Sequence, residues 1–309
     1  AVILDKFSIS MITHLFTHKF ATTLCISVLL GHFSTAAESI KRGPYLQLST
    51  DTSVHVVWRT TEIIKPSVRI GSHPNKLSSA CSCKQIVVRR NKAQHKSPHA
   101  LPLFNAPEGT YQYEAKISGL KPDTRYYYAV YDGDNRLTPA ETGFTFRTHP
   151  KPGTKRDTYI WVVGDSGTGN PSQKQVHQAL INHNKKHKLT LDMYLHVGDM
   201  AYGSGKDKEF QKKFFEIYQP TLRNTVCWPS MGNHEGRTSR GKSGVGPYYD
   251  AYITPTKGEA GGVPTGNESY YSFDFGRTHF VVLNSHDLDR QPTATMAKWL
   301  REDLAKTSP

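Results

Sequence analysis

Three short motifs recur at even intervals in the second half of the chain. They are Gly164-Asp165-Ser166-Gly167, Gly198-Asp199-Met200-Ala201-Tyr202 and Gly232-Asn233-His234-Glu235. Each follows an apolar run of strand length: Tyr159 to Val163, Met193 to Val197, and Val226 to Met231. Such runs read as buried strands. A carboxylate or amide just past a strand end is how an α/β sheet presents metal ligands at its carboxyl edge. Glycine beside it lets the backbone turn sharply and leaves room for an ion. A lone Asp after a strand is more often a helix cap. Three spaced blocks in this order, with Tyr202 three residues after the second Asp, point instead to one site.

The two halves of the chain follow different patterns. Residues 43–149 read as all-β. Ser53 to Thr60 alternates, with Val54, Val56 and Trp58 on one face, which is the strand period. Leu120-Lys121-Pro122-Asp123-Thr124 leads as a turn into the aromatic strand Arg125 to Val130, and Phe144-Thr145-Phe146 reads as a closing strand. Residues Ser78 to Pro107 read as long loops with one strand at Gln85 to Arg89. A Pro/Gly/Lys linker runs from His149 to Asp157. Beyond it, strands alternate with helices, the grammar of an α/β layer architecture. Helices are expected at Pro171 to His187, with Pro at the start, at Lys206 to Tyr218 and at about Thr293 to Lys306. In the last, Trp299, Leu300 and Leu304 are expected to face inward. Tyr270 to Phe275 and Thr278 to Asn284 read as a hairpin joined at Gly276.

With these residues in view, the chain resembles the purple acid phosphatases, members of the calcineurin-like metallophosphoesterases. That family carries a GDxG, GDxxY, GNH[ED], VxxH, GHxH series around two metal ions. The first three blocks are present, and Gly43-Pro44-Tyr45-Leu46-Gln47 resembles the opening of the family's N-terminal domain. The turn before Arg125 to Val130 resembles the fibronectin type III pattern, in which a corner tyrosine anchors the loop. The resemblance therefore implies a fibronectin type III-like β-sandwich at 43–149, followed by an α/β metallophosphoesterase domain at 157–309. It also implies that this second domain is incomplete at its C-terminus, since the sequence reaches Pro309 before any GHxH block. The expectation is that residues 1–309 alone lack the later histidine ligands and do not turn over a phosphate ester.

The same resemblance assigns roles. Asp165 would hold one metal, and Asp199 would bridge both. Tyr202, as a phenolate, would add a third hard anionic oxygen suited to Fe(III), while Asn233 would give an amide oxygen to a second, divalent ion (Zn, Mn or Fe). His234 would contact phosphate oxygens or protonate the leaving group as a general acid. The implied reaction is hydrolysis of phosphate monoesters, of small molecules or phosphoproteins, by in-line attack of a water held between two metals. A phosphodiesterase on the same scaffold is the alternative enzyme reading, because the motifs fix the metals and not the substrate. A catalytically inactive binding or cell-surface module is the alternative from another class. Glu235 is expected to support the ligands by hydrogen bonding, and Arg237 and Arg240 to lie on a solvated loop. Leu283-Asn284-Ser285-His286 mimics VxxH but precedes the last helix instead of following it, so His286 is not taken as a ligand. His177, His183 and His187 are expected on a lysine-rich wet helix, and His196 as a buried, hydrogen-bonded histidine.

Composition narrows the rest. The formal net charge is +13 over 309 residues, which favours anionic substrates without naming one. Lysines and arginines form no sustained stripe alternating with aromatics, so nucleic acid is not expected as a partner. Residues 1–37 read as a leader with a signal peptide from Met11. A basic stretch precedes the apolar run Ala21 to Leu30, and Ser34-Thr35-Ala36-Ala37 supplies small residues for cleavage, the pattern of secretion. That run is short for a bilayer, so no stable membrane span is expected and the protein is read as secreted or extracytoplasmic. Cys25 would leave with the signal, Cys81 and Cys83 are too close for an easy disulfide, and Cys227 reads as a buried thiol. Asn267-Glu268-Ser269 is a glycosylation sequon.

Overall fold

A computed structural model of the chain describes residues 40–79, 110–140 and 143–307. The leader, Cys81 and Cys83, and the strand expected at Gln85 to Arg89 lie outside the described residues. Ser78 and Ser79, expected in a loop, belong to a strand. Among the described residues no helix is long and apolar enough to cross a membrane.

The N-terminal half packs two antiparallel sheets. One has the order β1-β2-β5, formed by β1 (Ile40–Gln47), β2 (Ser53–Thr60) and β5 (Tyr111–Ser118). The other runs β4-β3-β6-β7, with β3 (Pro66–His73), β4 (Lys76–Ser79), β6 (Arg125–Asp132) and β7 (Asn135–Arg136); β8 (Thr145–Arg147) pairs with β6. Val54, Val56 and Trp58 of β2 enter the core between the sheets, with Val68, Ile117, Tyr128 and Phe146. Each such side chain removed from water contributes roughly 1.5–3 kcal/mol. The corner before β6 is tied back as expected, because the Lys121 N–H donates to Tyr126 Oη at 2.9 Å.

Alternation in β2 does not separate core from solvent. Val57 is also fully buried, since its face of the sheet receives the second half of the chain. There it joins Tyr45, Phe210, Phe214, Phe215 and Tyr218 in a second core. Tyr45 Oη donates to the Ala251 carbonyl at 2.8 Å, and Tyr128 Oη to that of Arg223 at 2.7 Å.

The second half is built on three parallel strands, β9 (Ile160–Val163), β10 (Met193–His196) and β11 (Cys227–Pro229), in the order β11-β10-β9. Helix α1 (Pro171–His187) connects β9 to β10. Asn170 caps it by accepting from the Gln173 N–H, and Lys188 closes it at φ +53°. After the second motif's loop, the β10–β11 connection carries one continuous helical stretch, with α2 (Asp207–Phe210), a π turn at Gln211–Phe215 and α3 (Glu216–Leu222). Phe210, Phe214, Phe215 and Tyr218 face inward as the spacing requires.

Strand β9 is less buried than its composition suggests. Trp161 packs on His177 and Tyr194, whereas Val162 on the opposite face is 57% exposed. Helices cover only one side of this edge among the described residues. After the short helix α4 (Pro247–Ala251), the hairpin β12 (Tyr271–Phe275) and β13 (Thr278–Val282) packs on β11 through Phe273, stacked on Trp228 at 3.8 Å.

Helix α5 (Thr295–Lys306) closes the described fold. Trp299 is inward, and its indole donates to the Val263 carbonyl at 2.9 Å, but Leu304 is 54% exposed. The inward place is taken by Asp303. Its buried carboxylate accepts from the Ser272 hydroxyl and the Val263 N–H, at 2.9 and 2.7 Å, and pairs with His279 at 2.8 Å. A satisfied carboxylate here outranks hydropathy in setting the helix face.

The linker is fastened rather than free. The Gly153 N–H donates to the Gly276 carbonyl at 2.8 Å. His149 is buried, packs edge-on to Phe275 at 4.8 Å and donates from Nδ1 to the Asp274 carbonyl at 3.2 Å.

Candidate metal site

The three motifs occupy adjacent loops at the carboxyl ends of β9, β10 and β11. Backbone bonds lace the first two together. The Asp165 N–H donates to the Gly198 carbonyl, the Gly167 N–H to that of Asp199, and the Tyr202 N–H to that of Gly167, each at 3.0 Å. Asp165 and Asp199 sit at φ +52° and +58°, a left-handed conformation that non-glycine residues adopt at a cost. Strain of this kind persists only where surroundings over-determine it, and it concentrates at functional sites.

The motif glycines are sterically required. A Cβ on Gly232 would stand 2.3 Å from both the nitrogen and Oδ1 of Asp199. On Gly167 it would stand 2.1 Å from the carbonyl carbon of Met200. The loops nest because those atoms are missing.

Glu235 locks the arrangement from below. It is fully buried. Oε2 accepts from the N–H groups of Asp199 and Gly232, at 2.8 and 3.1 Å, and Oε1 from that of Ala201 at 3.0 Å. Burial, with Asp199 nearby, lifts its carboxyl above the usual range against the pull of those three donors. The expected supporting role of Glu235 is therefore what the geometry provides.

The candidate ligands gather on the open side. Tyr202 Oη donates to Asp165 Oδ1 at 2.7 Å. Partial burial and that carboxylate push the phenol pKa upward. Asp199 Oδ1 accepts from the His234 N–H at 2.9 Å. Asn233 stands exposed beside it. The His234 ring lies 4.1 Å from that of Tyr202, and its Nδ1–H donates to the Gly203 carbonyl at 2.8 Å. Nε2 is thereby left to act outward.

The donors suit a hard cation. Two carboxylates and a phenol supply anionic oxygen, the choice that favours small, highly charged ions. A Cβ at Gly232 would overlap Asp199 Oδ1 at 2.3 Å, so glycine there keeps that carboxylate oxygen unobstructed. Asp165, Asp199 and Tyr202 could hold one metal, with Asn233 reaching a second across Asp199. Among the described residues no group of three or more His, Cys, Asp or Glu converges closely enough to hold an ion by itself, so this site would depend on the Tyr202 and Asn233 oxygens as well.

Other histidines fall where their surroundings put them. His196 is buried; the Gly198 N–H donates to its Nδ1 at 3.3 Å, so Nε2 donates to Ser166 Oγ at 2.8 Å. Burial depresses its pKa to about 3. His177 is not on a wet face. It is buried against Trp161 and Tyr218 and bonded to Thr221 Oγ1 at 2.8 Å. His183 and His187 pair on the exposed side of α1, at 4.5 Å. His286 presses its ring on Gly236, where a Cβ would lie 2.1 Å from Nε2. Arg237 donates to the Gly203 carbonyl at 2.8 Å from an exposed position.

Sequence reasoning missed Glu209. Its carboxylate accepts from the N–H groups of Gly203, Ser204 and Lys206, at 2.7, 3.0 and 3.0 Å. An acid at the third helical position reaches back in this way, and that placement was the available signal.

Comparison with known proteins identifies the two halves of the chain. Residues 42–148 match the family described as "Purple acid Phosphatase, N-terminal domain", and residues 158–309 match "Calcineurin-like phosphoesterase". Purple acid phosphatase 23 of Arabidopsis thaliana is 27% identical, over 84% of this chain and 60% of its own length. Purple acid phosphatase 15 of the same plant is 30% identical, over 84% of this chain and 52% of its own. The chain thus spans between half and two thirds of these two relatives. The solved structure of PhoD superposes with a TM-score of 0.55 at 13% identity, over 88% of this chain and 60% of that one, a likeness of fold.

Proposed function

This chain belongs to the purple acid phosphatase family, and we propose that its three nested loops form the first part of a dinuclear centre that hydrolyses phosphate monoesters. The family implies two metal ions. When bound, they neutralise phosphoryl oxygens and make a water acidic enough to attack. The observation that carries the proposal is the meeting of Tyr202 and Asp165 at 2.7 Å, a phenol and a carboxylate delivered from two strand ends to one point.

The chain's own groups divide the work. Tyr202, whose hydroxyl donates to Asp165, would hold a metal as a phenolate after releasing that proton to solvent, and three anionic oxygens would favour Fe(III). Asp199 would hold both ions, and Asn233 would offer a neutral oxygen to a divalent one, Zn, Mn or Fe. His234, oriented by its Nδ1–H bond to Gly203, presents Nε2–H to the leaving-group oxygen or to a phosphate oxygen, as a general acid does. Glu235 keeps the Asp199 and Gly232 amides fixed throughout. The leader from Met11 makes the protein secreted or extracytoplasmic on this reading.

The test compares turnover of a chromogenic phosphate monoester and its diester by the metal-loaded, full-length protein. Monoester turnover at least about tenfold above diester is expected, a difference of about 1.4 kcal/mol in the barrier. Preference for the diester would move the protein to the phosphodiesterase reading, and no turnover of either would favour the inactive binding module.

A further inference from the structure

The helix that follows the second motif touches both halves of the molecule. Arg42 of β1 and Arg59 of β2, 0% and 5% exposed, converge on Asp207 at its first position. Arg42 Nη2 reaches Asp207 Oδ1 at 3.2 Å, and Arg59 Nη1 donates to the same oxygen. Each guanidinium has a second anchor. Arg42 Nε donates to Gln211 Oε1 and Arg59 Nε to Gln112 Oε1, both at 2.8 Å. Arg42 also stacks on Phe215 at 4.0 Å. Both guanidinium groups share this one buried carboxylate, so removing Asp207 would leave two buried positive charges without their partner.

Two residues further on, Glu209 faces the metal loops. It accepts the Gly203, Ser204 and Lys206 N–H groups. Only the last belongs to the helix start. The other two belong to the segment directly after Tyr202, so a helix cap alone does not account for them. Lys213, one turn on, donates to the Tyr202 carbonyl and stands 3.9 Å from Glu209. Its own carbonyl accepts from Gln173 of α1 at 2.6 Å. Partial burial opposes ionisation of Glu209, but its backbone donors and Lys213 outweigh it and hold the carboxyl below its usual value. The path from sandwich to phenol is therefore continuous: Arg42 and Arg59, Asp207, the first residues of the helix, Glu209, Gly203 and Tyr202.

We propose that Asp207 and Glu209 are positioning residues through which the N-terminal sandwich sets the orientation of the Tyr202 phenol. This rests on the reading of Tyr202 as a ligand. It gives the sandwich a part in the centre although none of its side chains has been placed among the ligands.

The test uses the full-length protein and three variants. Glu209→Gln weakens the acceptor. Arg59→Lys keeps the charge but loses the fork that joins Asp207 to Gln112. Ile117→Val removes a methylene from the sandwich core, away from the path, and controls for general destabilisation. Amide hydrogen exchange at Gly203 and Ser204 is measured without metal, and the visible absorption of the ferric form is recorded in parallel. Glu209→Gln should speed exchange at both amides on the order of tenfold, Arg59→Lys by less, and Ile117→Val not at all. The absorption maximum should move in the first two and stay in the third. Unchanged exchange in both path variants, or an equal rise in Ile117→Val, overturns the proposal. A response to Glu209→Gln without any to Arg59→Lys overturns the part given to the sandwich. A ferric wild type without a visible band removes Tyr202 as a ligand, while the exchange comparison still decides whether the path holds its loop.

Discussion

The Tyr202 hydroxyl donates to Asp165 Oδ1 across 2.7 Å, joining residues 37 positions apart in the chain. The phenol lies at the open side of its loops and fills no part of either large core. Tyr202→Phe should therefore change stability by no more than about 1 kcal/mol, the net worth of one hydrogen bond. It should also abolish the visible band of the ferric form, since a phenyl ring has no oxygen to share with iron. Absorption spectroscopy beside thermal unfolding checks both, and an equally coloured variant would sink the assignment.

Glu235 bears on the same site from beneath. An amide in its place has one acceptor oxygen for three backbone donors and presents N–H groups to others. Glu235→Gln is expected to cost about 1–3 kcal/mol, the penalty for leaving buried donors unpaired. Because those donors fix Asp199 and Gly232, metal affinity should fall about 10–100-fold, as it does when groups behind a ligand are lost. A metal titration with unchanged affinity would count against Glu235 as the clamp.

The sequence was most legible where one physical demand dominated. The three strand-loop motifs lie within a residue or two of the expected bounds, because an apolar run ended by glycine and a carboxylate has few other uses. Helix α1 matches at both ends, since Pro171 and the polar tail around His187 mark them. Reading failed where a partner distant in sequence decided the outcome. Leu304 has the hydropathy of an inward residue, yet Asp303 is inward because Ser272, Val263 and His279 wait there. His177 has lysines near it in sequence and Trp161 and Tyr218 near it in space. Glu209 sits where a helix-capping acid is expected, but its wider role comes from the Gly203 and Ser204 amides folding back over it. Polarity can be read along a chain, but the group that satisfies it cannot.

Export gives a separate test. The basic, apolar and small-residue order from Met11 to Ala37 leads to cleavage near Ala37. N-terminal sequencing of native material should begin close to Glu38. A first residue at Met11 would remove the signal reading and leave the chemistry untouched.

Acid stability follows from histidines that have no catalytic part. His149 is wholly buried and neutral, its pKa depressed by desolvation to about 4 from 6.5. The unfolded chain takes up a proton near pH 6.5, whereas the folded chain resists until about pH 4. The stabilisation is thus present above pH 6.5 and is lost as pH falls through that window. His149 alone should remove about 2 kcal/mol between pH 7 and pH 5, and about 3 kcal/mol in all once pH drops below 4. His196, depressed to about 3 by burial, adds to the same slope. His279 works in the other direction. Burial opposes its charge, but Asp274 at 2.6 Å and Asp303 at 2.8 Å raise its pKa. Its contribution is complete below pH 6.5 and fades as pH rises through its folded pKa. Denaturant unfolding of the wild type and His149→Gln, at pH 7 and pH 5, separates the terms. The variant should be less stable at pH 7 and lose about 2 kcal/mol less than the wild type on acidification. Equal losses in the two proteins would mean that His149 is not held neutral by the fold.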